Sequence, residues 1–519
     1  MTQNPPTSST NNDSLQIPYA SHLSWFIQTV PLINKKFNVL SKQYIYYKLV
    51  FSTPNNFNSF VSLLLSNDHS SIAQHVKILD LQQFAIDHLY TDGALSSRTM
   101  LKFLQACNNL SQVYFSPAID YCLNEDILFH ILFGNNKITS FDISGISDAN
   151  VFRKSLPVFN DDIDIHVSKL RRLSFYDSRS IPEEFLYRLF SYLTNIERLD
   201  LSNINIPSNT LYQCPVFTNL THLSLGCSNL DKHEIFEYFI KQNTLQQTLQ
   251  WLNLESSSLT NNMSEREILS ILNSLIPDAV STPVSIRSSA NNSIEDLTSL
   301  ANQQRVLDFH NFDIETDRDR MKGKHNTTLK YLNLNGRGVT YKVLKFIKTH
   351  FIALESLHIY KSSASISELL KFLSGSIQKI KYLNLSGNSN ITVDAIQESD
   401  LLQVSESLTC VELSPFISNR IPNGEIKLRD ATEVWKVART QYRSWLYKDA
   451  SIANHYDEGV EFRTSNGKEI ISHPFIKYGY NKIELEGISS SFADTTVWPP
   501  TVYRGSIYND FGLNMCLEF

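Results

Sequence analysis

One short phrase governs what this chain can become: an aliphatic residue, two residues of any kind, a second aliphatic or aromatic, one more residue, and a third. It reads Val76-x-x-Leu79-x-Leu81, Leu110-x-x-Val113-x-Phe115 and Ile138-x-x-Phe141-x-Ile143, and it returns eight more times, ending at Leu408-x-x-Val411-x-Leu413. A weaker copy is Leu307-Asp308-Phe309, with Gln304 in the first position. Successive copies stand 24 to 34 residues apart, except for one step of 55. Alternate residues of a strand point to one face, so the second and third apolar residues of each phrase go into a shared core. No unit can bury that face alone, but stacked neighbours can. The expected fold is therefore an α/β solenoid in which each unit supplies one strand and a return helix.

A solenoid grows lengthwise, so 519 residues require no second globular domain. The chain carries 46 basic and 52 acidic side chains, a net charge of −6, without the clustered positive charge that phosphate binding needs. Nucleic acid is therefore not an expected partner. No apolar run reaches the roughly 18 residues of a membrane span, and residues 1–12 lack the apolar centre of a signal peptide. Six cysteines are scattered without a Cys-x-x-Cys pair, which disfavours a zinc site and a disulfide framework. That pattern points to a reducing compartment, the cytoplasm or the nucleus.

Reaction chemistry is hard to find in this sequence. It holds no Gly-x-x-x-x-Gly-Lys-Ser/Thr loop, no Gly-x-Ser-x-Gly elbow, no His-Glu-x-x-His and no EF-hand loop. Gly336-Arg337-Gly338 opens like a dinucleotide turn, but Tyr341 stands where the third glycine belongs, so it reads as a plain turn. His310, His325 and His358 lie in the middle units without ligand spacing. No catalytic residue, metal or cofactor is expected, and the chain reads as a non-enzymatic binding protein.

The period resembles that of leucine-rich repeat proteins, whose units stack into a horseshoe. Ahead of it, Leu32-Ile-Asn-Lys-Lys-Phe-Asn-Val-Leu40 followed by Ile45-Tyr-Tyr-Lys-Leu49 resembles the second half of an F-box. In that family a Leu-Val-Cys-Lys-x-Phe/Trp-x-x-Leu helix precedes Leu-Trp-(basic)-x-Leu. Ile33 takes the Val position, Asn34 the Cys, Lys35 the Lys, Phe37 the aromatic and Tyr46 the Trp. The first half departs from the pattern, because Ile17-Pro18 stands closer than the family's Leu-Pro and its Glu is absent. The chain thus resembles fungal proteins that join an F-box to leucine-rich repeats. The resemblance implies that Leu32, Ile33, Lys35, Phe37, Leu40, Tyr46 and Leu49 dock on a Skp-type adaptor. It also implies that the repeats hold an unknown protein substrate for a Skp/cullin/F-box type ubiquitin ligase, whose chemistry lies in other subunits. The alternative is a leucine-rich repeat scaffold or small-GTPase regulator that joins no ligase, its N-terminal segment a plain helical cap.

In order, residues 1–14 read as a disordered tail, 15–56 as the F-box-like helical segment, 57–415 as the repeats and 416–519 as a C-terminal cap. Within the repeats, 277–303 is rich in Ser and Asn and reads as a mobile insertion. Residues 57–65, 182–193, 233–240, 341–347 and 366–373 carry the apolar spacing of helices. In the cap, Val434, Val437, Ala438, Tyr442 and Leu446 predict a helix over 430–447. Short strands are expected around Val460-Glu-Phe462, Ile470-Ile471, 482–485 and Val502-Tyr503.

In a horseshoe the residues flanking each strand's inward aliphatics form rows along the concave wall. Trp251, Tyr331, Tyr360 and Tyr382, with Arg172 and Arg198 beside them, are the candidate partner patch, since Trp, Tyr and Arg dominate binding hot spots. Two readings stay open: a partner protein covers these rings, or the insertion or cap of the same molecule does.

Overall fold

In the computed structural model each of the eleven full phrases forms a three- or four-residue strand, and the strands stack side by side in chain order. The structure describes residues 32–448 apart from scattered short segments and the longer stretches 85–94, 155–168, 257–262 and 278–323; beyond Lys448 it describes Glu461–Arg463 and Ile470–Ser472. The strands are β1 (Lys48–Val50), β2 (Ile78–Asp80), β3 (Gln112–Tyr114), β4 (Ser140–Asp142), β5 (Arg172–Ser174) and β6 (Arg198–Asp200). They continue as β7 (His222–Ser224), β8 (Trp251–Asn253), β9 (Tyr331–Asn333), β10 (Ser356–His358), β11 (Tyr382–Asn384) and β12 (Cys410–Leu413). All twelve pair in parallel with their neighbours in sequence. Their middle residues are in register, as in Leu199↔Leu223↔Leu252↔Leu332↔Leu357↔Leu383. Every one of these leucines is fully buried. Burying a leucine is worth about 1.5–3 kcal/mol, and none of it is available to an isolated unit. The fold is an α/β leucine-rich repeat solenoid.

A second ladder runs along one rim. Three residues beyond the strand the chain turns through the left-handed region, at Gly145, Asp177, Asn203, Cys227, Gly336, Lys361 and Gly387. There the backbone amide reaches the next unit: Gly145 N–H donates to Tyr176 O at 2.7 Å, Asn203 to Gly226 O at 2.8 Å and Gly336 to Tyr360 O at 2.9 Å. At Gly336 glycine is required twice over, because a Cβ there would stand 2.2 Å from Ser256 O. Gly336-Arg337-Gly338 is accordingly a turn. Arg337 is buried, its Nε donates to Leu254 O at 2.6 Å, and burial lowers its guanidinium to about 10. It is not offered to a nucleotide.

Helices cover the other face of the sheet. The described long ones are α1 (Lys35–Ile45), α2 (Pro54–Leu64), α3 (Ser97–Ala106), α4 (Glu183–Tyr192), α5 (Glu265–Ser274), α6 (Tyr341–His350) and α7 (Ile366–Leu373). α4 follows Pro182 and opens with Glu183 and Glu184, which favour the positive end of the helix dipole. α5 and α7 begin with capping boxes, Ser264 with Glu267 and Ser365 with Glu368. The apolar spacing legible at 57–65, 182–193, 341–347 and 366–373 thus marks real helices.

Three expectations need correction. The sheet begins at β1, inside the segment expected to be helical; Leu49 and Phe51 alternate into the core as strand residues do. The weak copy at Leu307 to Phe309 lies outside the described residues, and β8 pairs directly with β9 through Trp251↔Tyr331. The excursion therefore runs from Ile276 to Lys324, and its feet are pinned together: Asn326 Nδ2 donates to Leu275 O at 2.8 Å, and α5 packs on α6. Finally, 430–447 is not a helix. β14 (Val434–Arg439) and β15 (Ser444–Lys448) form an antiparallel pair that extends the sheet, β15 on β12 and β14 on β13 (Glu425–Lys427). The unpaired edge of β12 outweighs local helical spacing, and Trp435 and Leu446 are buried in the result. Glu461–Arg463 and Ile470–Ser472 do pair as short strands, while 482–485 and 502–503 lie outside the described residues.

Because the excursion leaves and returns at one pinned point, replacing 279–322 by a short Gly/Ser linker is expected to leave the solenoid folded. Its thermal midpoint should change by no more than a few degrees, loop length costing only about 0.6 kcal/mol per doubling. Differential scanning calorimetry checks this, and loss of a cooperative transition would contradict it.

Candidate partner-binding surfaces

α1 is the first candidate surface. Asn34 ends the preceding turn in an extended conformation and caps α1, its Oδ1 accepting Phe37 N–H at 3.0 Å. Only Ser41 of α1 is fully buried. Leu32, Ile33, Phe37, Leu40 and Tyr44 are 81, 54, 45, 48 and 51% exposed. Phe37, Leu40 and Tyr44 fall on one side of the helix by their i, i+3, i+7 spacing. Of the seven residues that the F-box resemblance assigned to the adaptor, Leu32, Ile33, Lys35, Phe37 and Leu40 are exposed, with Lys35 on the opposite side of α1 from Phe37 and Leu40. Tyr46 is half-buried against Phe60, with ring centroids 6.2 Å apart. Leu49 is core, and its truncation would unseat β1 before it reported on any docking. The alternation of Leu49 with Phe51 was the signal for that placement.

Of the two readings left open for the concave patch, the described residues show most of it buried within the chain. Trp251 and Tyr331 are 3% exposed and Tyr382 is wholly buried; Arg198 is buried, while Arg172 and Tyr360 are half-buried. In-register parallel strands lie about 4.8 Å apart, the thickness of stacked rings. Trp251 lies on Tyr331 at 4.5 Å and 8°, Tyr331 on His358 at 4.7 Å, and His358 on Tyr382 at 4.8 Å. Ser356, between the two tyrosines in the row, is small, and His358 fills the space it leaves. The Tyr382 hydroxyl donates to the Glu412 carboxylate. Tyr114 of β3 also packs on the Trp251–Tyr331 pair. In a flat sheet β3 and β8 would be roughly 24 Å apart at that spacing, beyond the reach of two aromatic side chains. The sheet must curl until its inner side chains converge. These rings form a second, internal core, and the exposure that made them look like a docking patch is absent.

Beside the rings runs a polar row with one repeated bond. Asp142, Asp200, Asn253, Asn333 and Asn384 each accept, through Oδ1, the backbone N–H two residues on, at 2.9–3.0 Å. Asparagine satisfies the position without charge. Asp142 and Asp200 are wholly buried, and Oδ2 of Asp200 has no hydrogen-bond partner. Burial, opposed by bonds from Ser144, raises Asp142 to about 7; burial, opposed by Ser202 and Ser224, raises Asp200 to about 6. His222 stays neutral, held well below its usual range by burial and by Arg198 and Arg172.

Among the described residues no group of three or more His, Cys, Asp or Glu could hold a metal ion, and no helix is long and apolar enough to cross a membrane. His325 Nδ1 pairs with Thr349 O at 3.0 Å, His358 belongs to the ring stack, and His310 lies outside the described residues. Cys107, Cys122, Cys214 and Cys410 are buried and Cys227 is half-buried.

No family model matches the chain. It is similar to F-box protein YLR352W of Saccharomyces cerevisiae, 24% identical over 549 aligned residues that cover 90% of this chain and 62% of that protein. The chain thus spans about three fifths of the length of that relative. Similar solved structures include a chain of the yeast Rad7–Elc1 complex (14% identity, TM-score 0.39, 72% of this chain and 90% of that one). They also include LegL7 of Legionella pneumophila (14%, 0.33, 71% and 90%) and the TLR13–ssRNA13 complex (14%, 0.33, 66% and 40%). The similarity to a protein named for its F-box thus extends over most of the sequence.

A buried acid whose proton affinity is raised favours the folded state below the ordinary carboxylate range near 3.8. That advantage is lost as pH rises through about 6 for Asp200 and about 7 for Asp142. Asp142→Asn and Asp200→Asn should therefore stabilise the chain by roughly 1–3 kcal/mol each at pH 8 and by almost nothing at pH 4. Urea unfolding at the two pH values measures the difference; a gain equal at both would contradict the assignment.

Proposed function

We propose that this chain is the substrate-recognition subunit of a Skp/cullin/F-box type ubiquitin ligase. α1 docks on a Skp-type adaptor, and the repeat array holds the protein to be ubiquitinated. The observation that carries this reading is the exposure of Leu32, Ile33, Phe37 and Leu40 of the F-box half-motif, with Phe37 and Leu40 on one side of α1. A solvated helix ordinarily turns its large apolar residues inward, and contiguous exposed ones mark a contact surface. Similarity along 90% of the chain to a protein named for its F-box supports the same reading.

In this role the chain makes and breaks no bonds, and it needs neither metal nor cofactor. Holding a substrate beside the ligase raises that substrate's local concentration. Six scattered cysteines without a Cys-x-x-Cys pair suit work in the cytoplasm or nucleus. On the substrate side, Arg172 and Tyr360 keep accessible surface among the six concave residues first considered, so contact falls to them and to the rims of the array.

Recombinant Skp-type adaptor should be retained by the purified chain and lost, by about 100-fold in affinity, in Phe37→Ala/Leu40→Ala, since two apolar anchors typically supply roughly 3 kcal/mol. Both side chains are exposed, so the thermal midpoint of the variant should match the wild type. A folded wild-type chain with no adaptor affinity would return the protein to the scaffold reading.

A further inference from the structure

The entries to strands β4, β5 and β6 collect positive charge that the sequence keeps far apart. At each entry a buried aliphatic, Ile138, Leu170 or Ile196, is flanked by one position before it and two after it that the core does not claim. Those nine positions hold Lys137, Lys169, Arg171, Arg172 and Arg198 against a single acid, Glu197, in a chain whose net charge is −6. In-register stacking makes them neighbours. Arg172 pairs with Arg198 across the sheet, Lys137 Nζ donates to Asn109 Oδ1 at the same place one unit earlier, and Arg171 meets Glu197 at 3.3 Å. With strands about 4.8 Å apart, the three entries form a strip roughly 10 Å across. The entries to β9, β10 and β11 are built differently: Lys330, Glu355 and Lys381 alternate in sign, and Lys381 pairs with Glu355 at 3.3 Å. Lys137, Lys169 and Arg171 are exposed and Arg172 is half-buried, so the charge of the strip reaches solvent. Asp142 and Asp200 are wholly buried two residues further along β4 and β6.

We infer that this basic strip receives an acidic segment of the protein held by the array, an extended run of Asp and Glu laid across the entries of β4 to β6. The inference rests on the proposed role of the array as substrate holder and adds the charge of the substrate. About three extended residues span the strip, so successive carboxylates meet successive units. Charge complementarity at an open rim raises the association rate and makes it salt-dependent. Nucleic acid is the poorer match, because its continuous phosphates would run beyond three units onto a chain that is acidic in sum. Asp161, Asp162 and Asp164 precede Lys169 outside the described residues, and the experiment varies them too.

The test titrates the full chain, without adaptor, into a fluorescent peptide bearing about six consecutive Asp and Glu residues, at about 50 and about 500 mM salt. The same peptide with Asn and Gln in their place is the control ligand. Wild type is compared with Lys169→Glu/Arg171→Glu and with Lys345→Glu/Lys371→Glu, an equal charge change at exposed sites on α6 and α7. Lys169 and Arg171 are exposed, so circular dichroism and thermal midpoint should not change. Wild type should bind the acidic peptide about tenfold more weakly at high salt and should ignore the control peptide. Reversal at Lys169 and Arg171 should weaken low-salt binding about tenfold, and reversal on α6 and α7 by no more than about twofold. No binding by wild type, or an equal loss in both reversed variants, overturns the inference. Binding seen only in Asp161→Asn/Asp162→Asn/Asp164→Asn overturns it in favour of the chain's own acids. Tighter binding of an oligouridine, removed by reversal at Lys169 and Arg171, overturns it in favour of nucleic acid. Because the adaptor is absent throughout, failure here leaves the docking of α1 to its own titration.

Discussion

The architecture depends on one lateral contact, the middle aliphatic of each strand resting on the same residue of the next. From Leu79 to Val411 these residues are in register and fully buried, and no unit holds the contact alone. Stacking in register then dictates what happens on both sides of the strand. Outside, each unit must send its chain back over a helix. Inside, side chains of successive units are forced to within a ring's thickness of one another, which is why Trp251, Tyr331, His358 and Tyr382 stack instead of standing apart.

The same constraint separates what was legible in the sequence from what was not. The ladder, most of the return helices and the turn at Gly336 could be read because they follow from local pattern: apolar spacing, capping residues, and glycine where φ is positive. Three features could not, and each depends on a distant neighbour. β14 and β15 form because β12 would otherwise end the sheet with an open edge, which the helical spacing of Val434, Val437 and Ala438 does not reveal. The Leu307 copy looks acceptable by spacing, yet β8 finds β9 directly. The burial of the concave rings depends on curvature, and curvature reaches across five strands to Tyr114. At α1 the half-motif indicated the residue types, but only the coordinates separate the open Phe37 and Leu40 from the core residue Leu49.

The two halves of the inner wall differ in character. From β4 to β7 it carries Asp142, Arg172, Arg198, Asp200 and His222, and from β8 onward mainly asparagines and rings. Asp142 and Asp200 in the first half and Asn253, Asn333 and Asn384 in the second make the same side-chain to backbone bond, so geometry does not require the acids. Burial of those two acids places a cost on their ionisation in the first half. Stability along this solenoid is therefore not one number: the β4–β7 section responds to proton activity, and the β8–β12 section does not share those acids.

The junction between α1 and β1 carries a mechanical consequence. Only Tyr46 and Tyr47 separate the end of the helix from the first strand, and Tyr47 O already accepts the amides of Lys77 and Ile78. Lys48 is tied to Asp80 at 2.9 Å, and Tyr46 leans on Phe60. There is no slack between them for a swivel. Whatever seizes the helix thereby aims the whole array, as a handle forged in one piece with its blade fixes the direction of the cut.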